Sequence, residues 1–417
     1  MRLKKGTTLT VPDQAADPAS PATVGAGITA RTLLALVVGQ VGIHAAMAGL
    51  RLAAPLQALR EGYSAWSVGL LMALFAAAPV LLALPSGRLA DRHGYHRPVG
   101  IAVALSVMGA LCAVGSTFLE GALHFGLLCL SATLCGSGTN MGMLAIQRTA
   151  GLTARDATER VRIFSWLGVA PSFANVVGPV ALGFMIDWGG FAAAYALMFP
   201  LIGLTIWSAR QVPVLPRPAP VALAGSQPRV WSLLAAPGMK RLLLANWLLS
   251  TCWDVHSFAL PIIGHDRGFS ASTIGLILGT FTLSVSLIRL AIPALAHRVE
   301  ETAVIRGAMV GTGLVFAFYP LATSPWQMGL CAALLGVTLG STQPMIMSTL
   351  HHLTPDNRHG ETLAFRSMAI NLSSTLMPLF FGAAGVAVGA SALFWAVGAS
   401  VAAGSWAVAG LKRHLLA

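Results

Sequence analysis

Charge in this chain is confined to short knots, and the stretches between them leave few folds open. The runs "WSVGLLMALFAAAPVLLALPS" (66–86) and "VGIAVALSVMGALCAVGS" (99–116) carry no charge. Between them, "GRLADRHGYHRP" (87–98) packs one aspartate, three arginines and two histidines. Cutting the chain at such knots and at Pro/Gly clusters leaves about twelve apolar segments of roughly 20–28 residues, each able to cross a ~30 Å hydrocarbon layer as a helix. The predicted spans are 29–56, 67–90, 98–117, 122–146, 162–186, 190–209, 240–263, 272–296, 303–322, 326–349, 362–386 and 389–411. A soluble core cannot bury so many apolar helices. Charged residues are 10% of the chain, against about 25% in a soluble domain. The fold class is therefore an all-α membrane protein with twelve transmembrane helices in two six-helix halves.

The net charge is +12, which in a soluble protein would suggest nucleic acid. Its distribution says otherwise. With both termini inside, 22 of the 26 Lys and Arg fall in the tails, the inner loops and the inner helix ends. Only Arg60 and Arg267 fall outside, while Arg51 and Arg289 lie within spans. This is the positive-inside bias, and the partner it implies is the lipid bilayer. Cys112, Cys129, Cys135, Cys252 and Cys331 all fall inside spans, where they read as packing residues and not as disulfides or metal ligands. Residues 1–28 have no apolar run behind their basic start and read as a disordered cytoplasmic tail.

The Pro-rich segment 211–238 reads as a cytoplasmic linker between bundles at 29–210 and 239–411, with 412–417 as a short inner tail. The bundles repeat each other. At a shift of 206, residues 55–92 align without a gap to 261–298 with 12 identities in 38 positions. Among them "LADR" (89–92) meets "LAHR" (295–298). At a shift of 199, "GPVALG" (178–183) meets "MPLFFG" (377–382).

The knot carries a resemblance. Gly87, Leu89, Ala90, Asp91, Arg92 and Gly94 match the loop pattern G-x-L-a-D-r-x-G-r-r between the second and third helices of the major facilitator superfamily. Tyr95 and His96 stand where that family favours basic residues, and Arg97 follows one step later. The fifth span, "GVAPSFANVVGPVALG", is similar to the family's Gly-rich antiporter stretch at Gly168, Gly178, Pro179 and Gly183, with Ala174 in place of one glycine. Over residues 29–411 the chain resembles a bacterial member of this superfamily, distantly like its twelve-helix drug and organic-solute efflux branch. The arginine which that branch carries in helix four is Ala132 here, and Gln40 and His44 replace its helix-one acid. The resemblance implies two parallel repeats related by an axis along the membrane normal, with a solute site between them near midplane. It also implies a monomer in the bacterial cytoplasmic (inner) membrane, without cofactor or metal.

An acid at the C-terminal end of a helix opposes that helix's own dipole, so Asp91 needs a partner. The resemblance supplies one in the N-terminus of helix eleven, near Glu361–Ala364. Arg92 and Arg97 would bind nearby acids or lipid phosphates, and Gly87 would let a neighbouring helix approach closely. The alternative is a tight turn that only determines topology. In the second half Pro293 and His297 replace the glycine and the aspartate, so that copy of the loop is degenerate.

A central Arg, Lys or Asp costs roughly 2.5–3.5 kcal/mol to insert, so polar residues within spans should face a pathway. Gln40, His44, Met47 and Arg51 share one helix face, and the repeat shift maps them onto Asn246, Ser250, Trp253 and Ser257. Asp254 lies at a depth similar to Arg51. The two would pair across the pathway or bind a charged solute; a static ion pair or snorkelling is the other reading. His44 is either functional or a hydrogen-bond partner of a neighbour, and His256 reads as an outer-interface residue. Trp253 offers an aromatic face or packs in the core. Further pathway candidates are Asn140, Asn175, Arg289, Gln343, Arg366 and Asn371. Trp66, Trp188, Trp207 and Trp326 read as interfacial anchors. No phosphate loop, metal-ligand spacing or nucleophile elbow appears in context.

These features predict a secondary transporter that moves a small organic solute by alternating access without ATP. Its partners are the solute and, through Asp254 and His44, protons, with efflux favoured. An uncoupled facilitator and a membrane sensor are the alternatives. Asp91→Asn is expected to slow or bias transport while membrane insertion stays intact; wild-type rates in that variant would remove the latch.

Overall fold

The computed structural model describes residues 28–155, 157–214, 238–295, 300–354 and 359–409. The tails, most of the predicted linker and the second-half loop with His297 lie outside these residues. Ten long α-helices run in sequence: α1 (Ala30–Arg60), α2 (Ala65–His93), α3 (His96–Ser116), α4 (Gly121–Thr153), α5 (Ala157–Ala209), α6 (Met239–Asp266), α7 (Ala271–Leu295), α8 (Glu301–Phe318), α9 (Pro325–Leu353) and α10 (His359–Ala409). No strand occurs among the described residues.

The helices α5 and α10 are each long enough to cross a membrane twice, and each is broken by one residue. Gly190 has φ +75° and Gly389 φ +80°, a conformation that costs little without a Cβ. The break positions are 199 residues apart, the shift that aligns the two sequence segments. The turns after α1 and α6 repeat likewise, with positive φ at Gly62 and Gly268, 206 apart. Nine stretches among the described residues are long and apolar enough to span a bilayer, the two broken helices counting once each. The 28-residue α6 is diluted by Asn246, Asp254 and His256 and supplies the remaining crossing. The predicted spans therefore correspond to real helices. Large apolar side chains ring the outside, such as Leu290 (71% exposed) and Phe380 (62%). In water such a surface would aggregate; in lipid it is solvated. Trp66, Trp188, Trp207 and Trp326 are exposed near helix ends or breaks.

One end of the bundle carries the 87–98 knot and is called the charged face below; the opposite face carries Gly62, Gly190, Gly268 and Gly389. The first helix starts at the charged face, where Thr29 Oγ1 accepts from the Thr32 N–H at 3.1 Å, a side-chain cap for a free backbone donor. At the opposite face the Tyr195 hydroxyl donates to Gln57 at 2.7 Å and His124 Nε2 lies 3.3 Å from Glu61. Arg267 donates to the carbonyls of Pro320 and Ala322, satisfying backbone acceptors beyond α8.

The halves meet along two seams, and the seams are copies of each other. In one, α5 lies against α7. A Cβ added at Gly183 would sit 2.6 Å from the Ala271 carbonyl oxygen, and one at Gly275 would sit 2.4 Å from that of Pro179. In the other, α10 lies against α2. A Cβ at Gly382 would sit 3.0 Å from the Ala65 carbonyl oxygen, and one at Gly69 would sit 2.4 Å from that of Pro378. The repeat shifts carry Gly183 to Gly382, Pro179 to Pro378, Ala271 to Ala65 and Gly275 to Gly69. Small residues let backbones approach this closely in lipid, where packing must replace the hydrophobic effect. Within the first half, Gly178 does the same against α1, 2.3 Å from the Ala45 carbonyl oxygen by the same measure.

Both seams lie toward the opposite face. In one of them a carboxylate joins the halves: Asp187, just before the break in α5, accepts the N–H groups of Ala271 (3.0 Å) and Ser272 (2.7 Å). It caps the N-terminus of α7, where the helix dipole favours an anion. In α10 the shift puts Val386 at this place, and Ser64 at the start of α2 makes no side-chain cap bond. A space of about 430 Å³ lies there, lined by Ser64, Ala65 and Val386 among others.

One expectation for the knot is revised. No described atom lies within 4 Å of a Cβ built at Gly87, so the close helix approach expected there is absent in this conformation, whose seams lie at the other face. Gly94 instead has a local reason: it caps α2 with φ +70° and donates its N–H to the Ala90 carbonyl. Arg92 and Arg97 are exposed. The side chains of Asp91 and of Glu361–Ala364 lie outside the described set.

Gly178→Ala is expected to destabilise the protein by about 1–3 kcal/mol through overpacking, read as a lower Tm of the purified protein. Gly100→Ala, whose Cβ meets nothing within 4 Å, should leave the Tm unchanged or slightly raised.

Candidate functional site

A cavity of about 390 Å³ lies between the halves, on the charged-face side of the seams. Five helices contribute most of its polar wall, and Arg51 joins it from α1. From α5 come Ser172 and Asn175, from α6 Ser250 and Asp254, from α7 Thr282 and Arg289, from α9 Thr342 and Gln343, and from α10 Ser374. Trp253 supplies the main aromatic surface, with its ring edge-on to Phe281 at 4.6 Å. A smaller space of about 50 Å³ continues beneath it, between Arg51, Met72 and Phe281.

The α6 stripe predicted from the sequence is present. Ser250 and Trp253 face the larger cavity and Ser257 the smaller one. Asn246, 2% exposed, is held one turn further toward the charged face. The α1 stripe is divided. Arg51 reaches the cavity, while Gln40 is buried with its Oε1 unpartnered and does not border it. His44 Nε2 lies 3.4 Å from Asn175 Nδ2, and its Nδ1 is buried without a partner. Its neighbour reaches the cavity; His44 itself does not line it.

The expected pairing of Arg51 with Asp254 takes a looser form. The two charges interact electrostatically, but no N···O contact of 4.0 Å or less joins them. Asp254 instead accepts hydrogen bonds from the hydroxyls of Ser374 (3.2 Å) and Ser373 (3.5 Å) on α10. Arg51 stands over the Phe75 ring with its guanidinium carbon 6.0 Å from the centroid. A carboxylate held by hydroxyls, with a cation near but unbonded, keeps its second lone pairs available. Position in the sequence alone could not separate this from a salt bridge; the Ser-Ser pair inside an apolar span was the available signal.

Closer to the charged face the chemistry is cationic. Arg366 on α10 donates its Nε–H to Asn246 Oδ1 at 3.0 Å and a terminal N–H to Gln343 Oε1. These bonds tie α6, α9 and α10 together through neutral amides. Arg289 lines the cavity with its Nε buried and unpartnered. The two arginines act on each other electrostatically, and among the described residues neither has a carboxylate partner.

Other candidates fall elsewhere. Asn140 is partly buried and Asn371 exposed, and neither borders the cavity. His256 is not at an interface: it is fully buried, with Nε2 3.0 Å from the Tyr319 hydroxyl and its ring against Phe281. The helix is packed on that side by Phe281 of α7 and by Tyr319 in the turn just after α8, which no single-helix pattern reveals. Gly178 and Gly183 build contacts to α1 and α7, while Pro179 both meets α7 through its carbonyl and borders the smaller space. Asp187 was overlooked; an acid beside a Trp-Gly-Gly break was its signal.

Comparison with known proteins agrees with this architecture. The chain is 27% identical over 329 residues to the enterobactin exporter EntS of Salmonella choleraesuis (strain SC-B67), covering 75% of each. It is 25% identical over 330 residues to EntS of Escherichia coli O1:K1 / APEC, covering 74% of each. Among solved structures, a POT family transporter in complex with 5-aminolevulinic acid superposes with a TM-score of 0.73 at 14% identity, covering 92% of this chain and 96% of that one. The nucleoside transporter NupG superposes at 0.69 with 12% identity, covering 91% and 99%. At such identities these structures speak to the fold alone. The family model described as Major Facilitator Superfamily matches residues 36–241 and 242–414, and the chain belongs to that superfamily: it is a multi-pass membrane transporter of small molecules and not an enzyme.

Proposed function

We propose that this transporter exports a small organic solute across the bacterial cytoplasmic membrane in exchange for protons, with the charged face inside. The observation that carries the coupling is Asp254. It is the only carboxylate on the described cavity wall, on the face of α6 that the repeat places opposite Arg51. Its bonds to Ser373 and Ser374 come from α10 and the Arg51 charge from the first half. A movement of the halves therefore changes the surroundings of this carboxylate, and with them its affinity for a proton. His44, reached through Asn175, is the second titratable group near the path.

Export is supported by the relatives named as enterobactin exporters, and the inward charged face by the distribution of Lys and Arg. With the charged face inside, the seams near the opposite face and the cavity on the other side of them fit an inward-facing state. Two six-helix units, 29–210 and 239–411, would rock about the cavity, with Asp91 closing the charged face in the alternate state.

Everted membrane vesicles containing the protein, with an acid lumen, are expected to accumulate labelled enterobactin at least tenfold above vesicles without it. A protonophore should abolish the accumulation. Asp254→Asn should lose the dependence on the pH gradient yet retain solute exchange at equilibrium. Flux indifferent to the gradient in the unaltered protein would leave an uncoupled facilitator; solute binding without any flux would leave a sensor.

A further inference from the structure

The charged-face end of the cavity contains positive charge that the fold does not use. Arg289 lies on the wall with its Nε buried and bonded to nothing. Arg366 stands behind Gln343, its guanidinium held by two neutral amide oxygens and repelled by Arg289. A structural arginine in a membrane protein finds a carboxylate or backbone carbonyls, because desolvated charge is expensive there. Neither arginine finds a carboxylate among the described residues, although the cavity holds one. Counted along α6 and α7, Asp254 lies 12 residues from the opposite-face end of its helix and Arg289 lies 18 from that of its own. The depth difference is roughly 9 Å, too far for the acid to serve the arginine directly.

From this juxtaposition we infer that the transported solute is an organic anion. Its acidic group binds at Arg289, with Arg366 adding charge from behind, and its apolar ring lies on Trp253. The guanidinium fork matches a carboxylate or a sulfonate with paired N–H groups. Trp253 lines the same cavity and offers a ring face or edge to an aromatic body. A cavity of about 390 Å³ is at the small end of the range for drug-sized ligands. A cationic solute would meet Arg51, Arg289 and the field of Arg366 against Asp254 alone. The inference rests on the transport reading for its biological meaning, but the binding site stands or falls separately from flux and from proton coupling.

The test is binding to the purified full-length protein in phosphatidylcholine nanodiscs, which contain no anionic lipid. Three probes of one ring and different charge are compared: naphthalene-2-sulfonate, 2-naphthamide and 2-naphthylmethylammonium. The sulfonate is expected to bind at least tenfold more tightly than either of the others. Arg289→Gln should weaken the sulfonate at least tenfold and leave the amide unchanged. Arg366→Lys, which keeps the charge, should weaken it less than Arg366→Gln. In the absence of ligand, Arg289→Gln should raise the Tm or leave it unchanged, whereas an arginine with a structural role would lower it. Preference for the amide or the cation, sulfonate affinity indifferent to Arg289, a Tm that falls in Arg289→Gln, or no sulfonate binding at millimolar concentration would each overturn the inference. Loss of flux with these binding results intact would instead count against the transport reading.

Discussion

The spacing between the two halves is set by glycines facing carbonyl oxygens. At Gly69, Gly183, Gly275 and Gly382 the partner backbone comes so near that an added Cβ would stand within 3.0 Å of it. In a bilayer the surrounding chains are as apolar as the helix surfaces, so burial does not drive one half onto the other. Contact must come from dispersion between atoms packed at short range, and each missing side chain brings two backbones into that range. The cavity follows from these seams. On α5 the contact with α7 runs from about Val176 to Asp187, and past its end Asn175, Ser172 and Pro171 line the cavity.

Inside that space, polarity is graded along the path. Hydroxyls and one carboxylate occupy its middle; guanidinium groups and amides occupy the end toward the charged face. Arg366 illustrates how such a group is tolerated. It is clamped between Asn246 and Gln343, so its orientation is fixed by neutral acceptors while its charge stays unneutralised. A carboxylate in either position would have made a stronger clamp and removed the charge from the cavity.

Much of this was legible in the sequence. The 206 and 199 shifts reappear as the turns at Gly62 and Gly268, the breaks at Gly190 and Gly389, and the paired seams, because a repeated sequence must solve the same packing problem twice. The α6 stripe was legible because a polar residue in lipid has one favourable direction to face. Other features were hidden for physical reasons. Whether Arg51 bonds Asp254 or stands off over Phe75 depends on the distance between two helices from different halves, which no pattern within a helix encodes. His256 is buried by tertiary neighbours, Phe281 of α7 and Tyr319 just beyond α8, which its own helix does not encode. The close contact expected at Gly87 is absent because the seams between the halves lie at the other face, and which face the halves share is not written within one helix.

A carboxylate that bridges only one of the two seams makes the symmetry incomplete. Asp187 fastens α5 to α7 with two hydrogen bonds, while Val386 leaves the matching place on α10 beside an open space and an uncapped α2. Parting the halves at that face must break both bonds on one side; among the described residues no hydrogen bond crosses the other. The two edges thus share their glycine packing and differ in the polar contacts laid over it, so the repeat fixes how close the halves come without fixing what ties each edge.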